Sequence, residues 1–179
     1  MLEVSVVGAL ERSVTRRWHD ELVADPALHA WVLNLYRAGE HHPATVDDYF
    51  PVAHAPRGLA EKLAAHREEE AMHARVYAGA IRALEQDLVD HTGLDVFNIA
   101  IREHTPATFR ILDDDAPDLV TRKIAHFLAH AHFLEARIAH SLELHANACA
   151  RASSPALKAV SLVLTDEIEH TRYTREAVF

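Results

Sequence analysis

Apolar residues recur along this chain at the spacing of amphipathic helices. Residues 9–24 carry Val14, Trp18 and Leu22 on one side, which predicts a short helix. Asp25 and Pro26 then supply an N-cap and a proline at the first helical position. A second helix is therefore expected from Pro26 through Glu40, with Pro43 kinking or ending it. Its apolar positions are Leu28, Val32, Leu33 and Tyr36.

A longer apolar stripe follows from Pro56 to about His91, where Thr92-Gly93 provides a stop signal. This pattern predicts a third helix. Its inward positions are Leu59, Leu63, Tyr77, Ile81, Leu84 and Leu88, and Glu70 and His73 fall in the same stripe.

Residues 93–117 contain Gly, Thr-Pro, Ala-Pro and a run of three Asp, which predict a long crossover with one or two short helices. A segment of this length can span the height of a helical bundle, so the helices on either side can run parallel.

Two further helices are expected beyond the crossover. Asp118 is the expected cap of a helix that reaches about Ala152, and Ser154-Pro155 begins the last one. The two inward stripes are Ile124, Leu128, His132, Glu135, Ile138 and Leu142, and then Val160, Val163, Leu164, Glu167, His170, Thr174 and Val178.

Composition agrees with helices. The chain has 179 residues, 49% hydrophobic and 25% charged, with only five Gly and seven Pro. We expect an all-α fold in one domain, residues 1–179. Within it, residues 1–25 form an N-terminal extension helix and residues 26–179 a four-helix bundle.

The formal net charge of −9 and the lack of a long basic run argue against a nucleic-acid partner. The first residues lack the basic segment of a signal peptide, and no apolar stretch is long enough to span a membrane, so a cytoplasmic protein is expected. Cys149 is the only cysteine, which excludes an intramolecular disulfide and argues against a Cys-based zinc site and an iron–sulfur cluster. Metal chemistry is therefore expected to use nitrogen and oxygen ligands.

Two Glu-x-x-His motifs carry the candidate chemistry, Glu70 to His73 and Glu167 to His170. Each follows a lone glutamate, Glu40 or Glu135, by 30 and 32 residues. Positions three apart on a helix share a face, so both side chains of a motif can reach one ion. One Glu from each of two helices and one Glu-x-x-His from each of two others is the arrangement that holds two metal ions in a bundle core.

Charge also favours cations at these positions. Four carboxylates in an apolar core would be prohibitive unless ions compensated them, and two divalent ions cancel the charge. Carboxylate and imidazole donors suit Fe, Mn or Zn. Glu21 and Glu143 are the substitutes if a lone glutamate is wrong.

Further side chains near the motifs have two interpretations each. Glu69 and Asp166 precede the motif glutamates and could accept the free N–H of a ligating His on the opposite helix, or they could be solvated surface acids. His66 and His132 could line the cavity or be hydrogen-bonded core histidines. The remaining candidates are Tyr36, Tyr77 and Tyr173 as phenols beside the site or as core residues, and Asp113, Asp114 and Asp115 as a chelate or as acids favouring a helix start.

These motifs resemble the ferritin-like di-iron carboxylate superfamily, which includes bacterioferritin, rubrerythrin, the ribonucleotide reductase small subunit and bacterial di-iron oxygenases. The resemblance spans residues 26–179. It implies two iron ions, with an iron–manganese pair or zinc as substitutes, and dioxygen binding between the reduced irons. It assigns Glu40 and Glu135 as single-glutamate ligands, Glu70 and Glu167 as bridging ligands, and His73 and His170 as terminal ligands.

The resemblance leaves the reaction open, because its members include ferroxidases, peroxidases, radical generators and oxygenases. We expect an oxidase or oxygenase that uses dioxygen on a small organic substrate, with an external electron donor. A ferroxidase of the bacterioferritin type and a non-catalytic metal-binding scaffold are the alternatives. The irregular crossover and the N-terminal segment weigh against storage. The sequence leaves the oligomeric state open, with a homodimer among the options.

Overall fold

Five α-helices make up most of the computed structural model, which describes residues 2–91 and 110–178 and the side chains from Ser13 onward. The described residues contain no strand, which confirms the all-α class there. None of their helices is both long and apolar enough to cross a membrane. The predicted crossover lies mostly in residues 92–109, outside the described residues. The helices are α1 (Leu2–Ala24), α2 (Pro26–Thr45), α3 (Arg57–Ala83), α4 (Pro117–Ala152) and α5 (Leu157–Val178), with a 3₁₀ turn at Val52–His54.

The helices pack side by side in a fixed order. Helix α2 lies along α3, α3 along α5, and α5 along α4, while α1 covers α4 and α2. Helix α3 is antiparallel to α5, because His66 contacts Tyr173 whereas His73 contacts Asp166. The short turn after Ala152 makes α4 antiparallel to α5 as well. Helices α3 and α4 therefore run in the same direction.

Two apolar clusters fill the interior at different heights. One contains Leu33, Tyr77 and Val163, and the other contains Leu63 and Tyr173. The predicted ligands lie between these clusters along each helix. Glu70 and His73 fall between Leu63 and Tyr77 on α3. Glu167 and His170 fall between Val163 and Tyr173 on α5. The fold thus holds a buried polar layer between two apolar layers.

Helix α1 differs from its prediction in length and in face. It begins at Leu2 rather than near residue 9. The predicted inward residues Val14 and Trp18 are 60% and 48% exposed, and the buried side chains at its C-terminal end are His19, Leu22 and Val23. The prediction is right for Leu22 and wrong for Val14 and Trp18, because a hydrophobic pattern counts His19 as polar, whereas His19 packs its ring near that of His145.

Helix α2 begins as predicted. The Asp25 carboxylate accepts the backbone N–H groups of Ala27 and Leu28 at 2.9 and 3.2 Å, with Pro26 at the first position. Pro43 lies inside the helix, which continues to Thr45, so the end expected at Pro43 comes two residues late. Glu40 is consequently held on regular helix. Leu28, predicted to face inward, is exposed.

Helix α3 ends at Ala83, not near His91 as predicted. Glu85 takes a left-handed conformation with φ 57°, and the N–H of Gln86 donates to the carbonyl of Ile81 at 3.2 Å. This is the hydrogen-bonding pattern that closes a helix, normally with glycine at the left-handed position. Because the sequence carries no glycine at this position, it contains no local signal for the end of α3.

The buried Asn34 of α2 forms hydrogen bonds with the segment that follows α3. Its amide nitrogen donates to the carbonyl of Asp87 at 3.1 Å, and its amide oxygen accepts the N–H of Val89 at 2.9 Å. Leu88, predicted to be an inward helical residue, is instead exposed in this extended segment.

The starts of the last two helices are shifted slightly from the prediction. Helix α4 begins at Pro117, with Asp118 in its first turn rather than at the cap. Ser153 ends it in a left-handed conformation with φ 51°, and the Ser154 hydroxyl accepts the N–H of Ala156 before α5 begins at Leu157. The turn between α4 and α5 is therefore built by hydroxyl-bearing residues rather than by glycine.

Candidate metal centre

The structure brings all six predicted ligands into the buried layer, each no more than 8% exposed. Their donor atoms form two groups, and within each group the atoms lie within 4.8 Å of one another. One group joins helices α2, α3 and α5, and the other joins α3, α4 and α5. The first group is Glu40, Glu70, His73 and Glu167, and the second is His66, Glu135 and His170.

Helical spacing explains the convergence. On α3, His66, Glu70, His73 and Tyr77 are four or three residues apart, so they share the inward face. On α5, Glu167 and His170 do the same. Each motif therefore presents a carboxylate and an imidazole to the interior, whereas α2 and α4 each add one carboxylate.

The Glu167 carboxylate lies between the two motif histidines. Its Oε1 is 3.5 Å from Nδ1 of His73, and its Oε2 is 3.3 Å from Nδ1 of His170. The centroids of the two imidazole rings are 6.0 Å apart. One carboxylate thus offers a different oxygen to each histidine.

The outer nitrogen of each histidine meets an acid from the opposite helix. Nε2 of His73 on α3 lies 3.0 Å from Oδ2 of Asp166 on α5, and Nε2 of His170 on α5 lies 2.8 Å from Oε2 of Glu69 on α3. A carboxylate accepts hydrogen bonds, so Nε2 carries the proton and Nδ1 of a neutral ring keeps its lone pair toward Glu167. Such outer carboxylates orient metal-ligating histidines.

This orientation leaves two buried polar atoms at the centre of the site without hydrogen bonds. Nδ1 of His73 and Oε1 of Glu167 are both buried without a hydrogen-bond partner. Glu40 adds a further carboxylate oxygen 3.5 Å from the same nitrogen. Lone pairs and anionic oxygens that converge without a proton or cation repel one another, so the donor set fits a positive ion.

Burial and mutual repulsion dominate the electrostatics of the layer. Burial, reinforced by the charges of neighbouring carboxylates, raises the pKa of Glu70 and of Glu135 well above the usual range. Burial likewise raises the pKa of Glu167 to about 8. Burial lowers the pKa of His73, but Glu40 and Asp166 outweigh it, so the net shift is upward. Without cations these carboxylates therefore tend to hold protons.

His66 has a larger place in the site than the sequence indicated. Its Nε2 is 2.9 Å from Oε1 of Glu70 and 3.6 Å from Oε1 of Glu135, and its Nδ1 is 2.6 Å from the Tyr173 hydroxyl. Its ring stacks on that of His170 with centroids 3.6 Å apart. The i to i+4 spacing from His66 to Glu70 was the available signal.

Burial, followed by the nearby His170 and His73, lowers the pKa of His66 well below the usual range. The ring is therefore neutral. With the Tyr173 hydroxyl donating to Nδ1, Nε2–H donates to Glu70.

The remaining side chains that were selected from the sequence do not all lie beside the carboxylates. Tyr77 is fully buried with its hydroxyl unpaired, and burial followed by the charge of Glu40 raises its pKa. His132 turns toward the backbone of α5, where its Nδ1 is 3.1 Å from the Thr171 carbonyl oxygen, so of its two interpretations the structure favours the hydrogen-bonded histidine over the cavity-lining one. The substitutes Glu21 and Glu143 are exposed, and Asp115 pairs with Lys123.

A cavity of about 290 Å³ lies beside the carboxylates, between α2 and α4. Glu40, Glu70, Glu135 and His66 line its inner end. Apolar and aromatic side chains form most of its wall, including Leu35, Pro43, Tyr49, Phe50, Phe127, Leu134 and Ile138. Sequence reasoning missed Tyr49 and Phe50, because they lie in the connection between α2 and α3, where no periodic pattern marks an inward face.

Comparison of the chain with protein-family models, curated proteins and solved structures gave no significant match. The ferritin-like resemblance therefore stays a prediction. What can be stated from the structure is that buried Glu and His side chains form groups that could hold metal.

Proposed function

We propose that residues 26–179 form a ferritin-like four-helix bundle that holds two iron ions and uses dioxygen to oxidise or oxygenate a small organic substrate. The observation that carries the proposal is the Glu167 carboxylate between two histidines, each held by an acid from the opposite helix. A carboxylate that offers one oxygen to each of two imidazoles suits a bridge between two ions. A single ion would leave one of the two histidines, with the acid that holds it, without a metal to bind.

The donor set supports iron. Glu167 and Glu70 are the proposed bridges, and His73 and His170 the terminal ligands. The remaining ligands are Glu40 and Glu135. Four carboxylates and two imidazoles balance two divalent ions, and their oxygen and nitrogen donors suit iron or manganese, with zinc as a non-redox substitute.

The residues of the chain have separable tasks in this proposal. Bound ferrous ions would supply the electrons that reduce dioxygen. Asp166 and Glu69 orient the two histidines. The contacts from Tyr173 through His66 to Glu70 can hold a proton next to the carboxylates. Turnover as an oxygenase also requires an external electron donor.

The cavity supports an organic substrate. Its wall is mainly apolar and aromatic, and three of the proposed ligands line it, so a bound molecule would lie next to the ions. Arg137, His130 and Ser141 also line it and provide polar contacts. A volume of about 290 Å³ fits a small molecule.

Metal content and oxygen consumption test the proposal. The purified chain, loaded anaerobically with Fe²⁺, is expected to retain about two irons per chain and to consume dioxygen on exposure. Glu167→Gln is expected to lose the second iron and the oxygen reaction while circular dichroism shows the same helix content. Glu169→Gln is the matched control, because Glu169 is exposed on the same helix and pairs with Arg172.

The alternatives give different results in the same experiment. Unchanged iron content in Glu167→Gln would contradict the ligand assignment. A hollow oligomer that accumulates hundreds of irons per particle would indicate a ferroxidase of the bacterioferritin type instead. A protein that binds no iron and keeps its full stability would indicate a helical scaffold.

A further inference from the structure

A second group of metal-binding side chains lies in the apolar core, away from the carboxylate layer. It consists of His29 on α2 and of His145 and Cys149 on α4, all 0% exposed. The two Nε2 atoms are 2.9 Å apart, and Sγ of Cys149 is 3.9 Å from Nε2 of His29. All three donor atoms lie within 4.8 Å of one another.

A hydrogen bond between the two histidines explains only part of this arrangement. One Nε2–H can donate to the other Nε2, which uses one nitrogen of each ring. It does not account for a third buried imidazole, His19, whose ring lies 5.6 Å from that of His145. The Cys149 thiol, which also has a hydrogen bond with Ser154, lies 3.9 Å from one nitrogen of the same pair. Burying polar rings is costly unless they gain interactions.

The three donor atoms are spaced as ligands of one ion. In a tetrahedral site with metal–nitrogen bonds of about 2.05 Å and metal–sulfur bonds of about 2.3 Å, two nitrogens are about 3.3 Å apart and nitrogen and sulfur about 3.6 Å. The observed 2.9 and 3.9 Å each differ from these values by less than about half an ångström. The third pair, a ring nitrogen of His145 and Sγ of Cys149, lies within 4.8 Å.

We propose that His29, His145 and Cys149 form a second metal site that takes a thiophilic ion, Cu⁺ in preference to Zn²⁺. One thiolate and two neutral imidazoles are soft or borderline donors, and the group contains no carboxylate, so it disfavours the hard ions that suit the first site. Leu22, Leu33 and Leu142 belong to the apolar cluster around it. A thiolate with Cu⁺ has zero net charge, which such surroundings favour over the net positive charge left by Zn²⁺.

The binding step is an exchange of ion for proton. The Cys149 thiol loses its proton to solvent and forms the sulfur–copper bond, so one proton is released for each ion bound and no oxidant or reductant is needed. Burial lowers the pKa of His29 to about 4 and that of His145 to about 3, which agrees with neutral rings whose lone pairs are available. Burial raises the pKa of the Cys149 thiol to about 11, so the ion has to displace a tightly held proton.

The site is separate from the carboxylate layer. His29 precedes Glu40 by 11 residues on α2, and His145 follows Glu135 by 10 residues on α4. At 1.5 Å per residue the two sites are about 15 Å apart along the helices. The second site therefore stands whether or not the first holds iron.

The single cysteine makes the test specific, because any thiolate-to-metal charge-transfer band must come from Cys149. The full chain is titrated anaerobically with chelator-buffered Cu⁺, and in parallel with Co²⁺ as a spectroscopic substitute for Zn²⁺. We expect one tightly bound Cu⁺ per chain with a thiolate-to-copper band in the ultraviolet. Cys149→Ala is expected to lose the band and to weaken Cu⁺ binding at least about 100-fold.

Three controls keep the result interpretable. His126→Ala removes an exposed histidine of α4 and should leave the titration unchanged. Glu167→Gln, which disrupts the proposed iron site, should also leave it unchanged and so separates the two proposals. X-ray absorption of the loaded wild-type chain should show one sulfur neighbour of copper, which needs no variant and covers a Cys149→Ala chain that fails to fold.

The outcomes that overturn the proposal are equally direct. Absence of a thiolate band with both Cu⁺ and Co²⁺ in the wild-type chain would refute the site. A band with Co²⁺ and none with Cu⁺ would overturn the preference for copper and assign the site to zinc.

Discussion

His73 and His170 each divide their two ring nitrogens between different tasks. Nε2 meets an acid from the opposite helix and Nδ1 faces Glu167. The two acids therefore fix the orientation and tautomer of both rings before any ion binds. Pre-oriented ligands bind more tightly because less conformational freedom is lost on binding.

Removing one of these acids should weaken metal binding without unfolding the protein. Asp166→Ala is expected to lower Fe²⁺ affinity about 10- to 100-fold, because His73 loses the partner that orients it. Asp166→Asn retains an acceptor and should lose less. Competition with a chelator measures both, and Glu169→Ala on the same helix is the control. Equal affinity in Asp166→Ala and the wild type would contradict the orienting role.

For single residues, the sequence could identify those whose place in the site depends only on their position within one helix. Glu70, His73, Glu167 and His170 could be selected from spacing and apolar context alone. The place of His66 could not, because it depends on Tyr173 from α5 and on Glu135 from α4. The cluster around His29 was missed for the same reason, since its members come from separate helices and Cys149 was considered only as a lone thiol.

Two helix ends in the described residues, those of α3 and α4, use left-handed residues other than glycine. Glu85 after α3 and Ser153 after α4 both have positive φ. A Cβ in this region costs free energy that glycine avoids. These helices are thus stopped by hydrogen bonds that overcome an unfavourable local conformation.

Glycine at the exposed Glu85 position should therefore stabilise the protein. Glu85→Gly is expected to raise the free energy of unfolding by about 0.5–1 kcal/mol in urea titration. Arg82→Gly is the contrasting control, because the same replacement inside the last turn of α3 should lower it by about 1 kcal/mol. A loss of stability in Glu85→Gly would show that its side chain makes a contribution larger than the backbone cost.

Asn34 is the link between α2 and the segment after α3, and its removal should be measurable. Asn34→Ala leaves the N–H of Val89 and the carbonyl of Asp87 without their amide partner. We expect the free energy of unfolding to fall by about 1–3 kcal/mol. Asn147→Ala, at an exposed position of α4, should change it by less than about 0.5 kcal/mol. Equal effects of the two variants would refute the role of Asn34.

Hydrophobic periodicity predicted that the helices form, but it did not predict several of the residues at which they begin or end. Asp25-Pro26 is a local signal, and it marked the start of α2 correctly. The segment after α3 is held by Asn34, some 50 residues earlier in the chain, and the buried face of α1 includes His19, which packs near His145. Long-range contacts of this kind leave no trace in the local pattern that sequence reasoning uses.

The described part of the molecule is organised around the buried polar layer between two apolar clusters. Burial raises the pKa of Glu70, Glu135 and Glu167, so the native metal-free protein holds protons that the unfolded chain has released. Stability falls with rising pH wherever the native state binds more protons than the unfolded state. The shift of His73, also upward, acts in the same direction.

The buried histidines with lowered pKa act in the opposite direction at lower pH, because they are protonated only after unfolding. Above about pH 7.5 they are largely neutral in both states, since the unfolded pKa is about 6.5. In the pH window from about 7.5 to 8.5 the buried groups with raised pKa therefore dominate, among them Glu167 with a pKa of about 8.

We expect the metal-free protein to lose roughly 1–2 kcal/mol of unfolding free energy across that window. Urea titration in the presence of a chelator measures it. Loading with Fe²⁺ under anaerobic conditions should abolish the decline, because bound carboxylates are held as anions at every pH in the window. A stability that stays level or rises in the chelated protein would contradict the buried-carboxylate account.

The acids that hold the two histidines differ in length and exposure. Asp166, behind His73, has 28% of its side chain exposed, whereas Glu69, behind His170, has one more methylene and 43% exposed. Because Asp166 has one rotatable bond fewer, it loses less side-chain conformational freedom than Glu69 when it holds its histidine. Calorimetry with Fe²⁺ should therefore resolve a strong and a weak uptake step, so that at scarce iron the chain would hold a single ion beside His73.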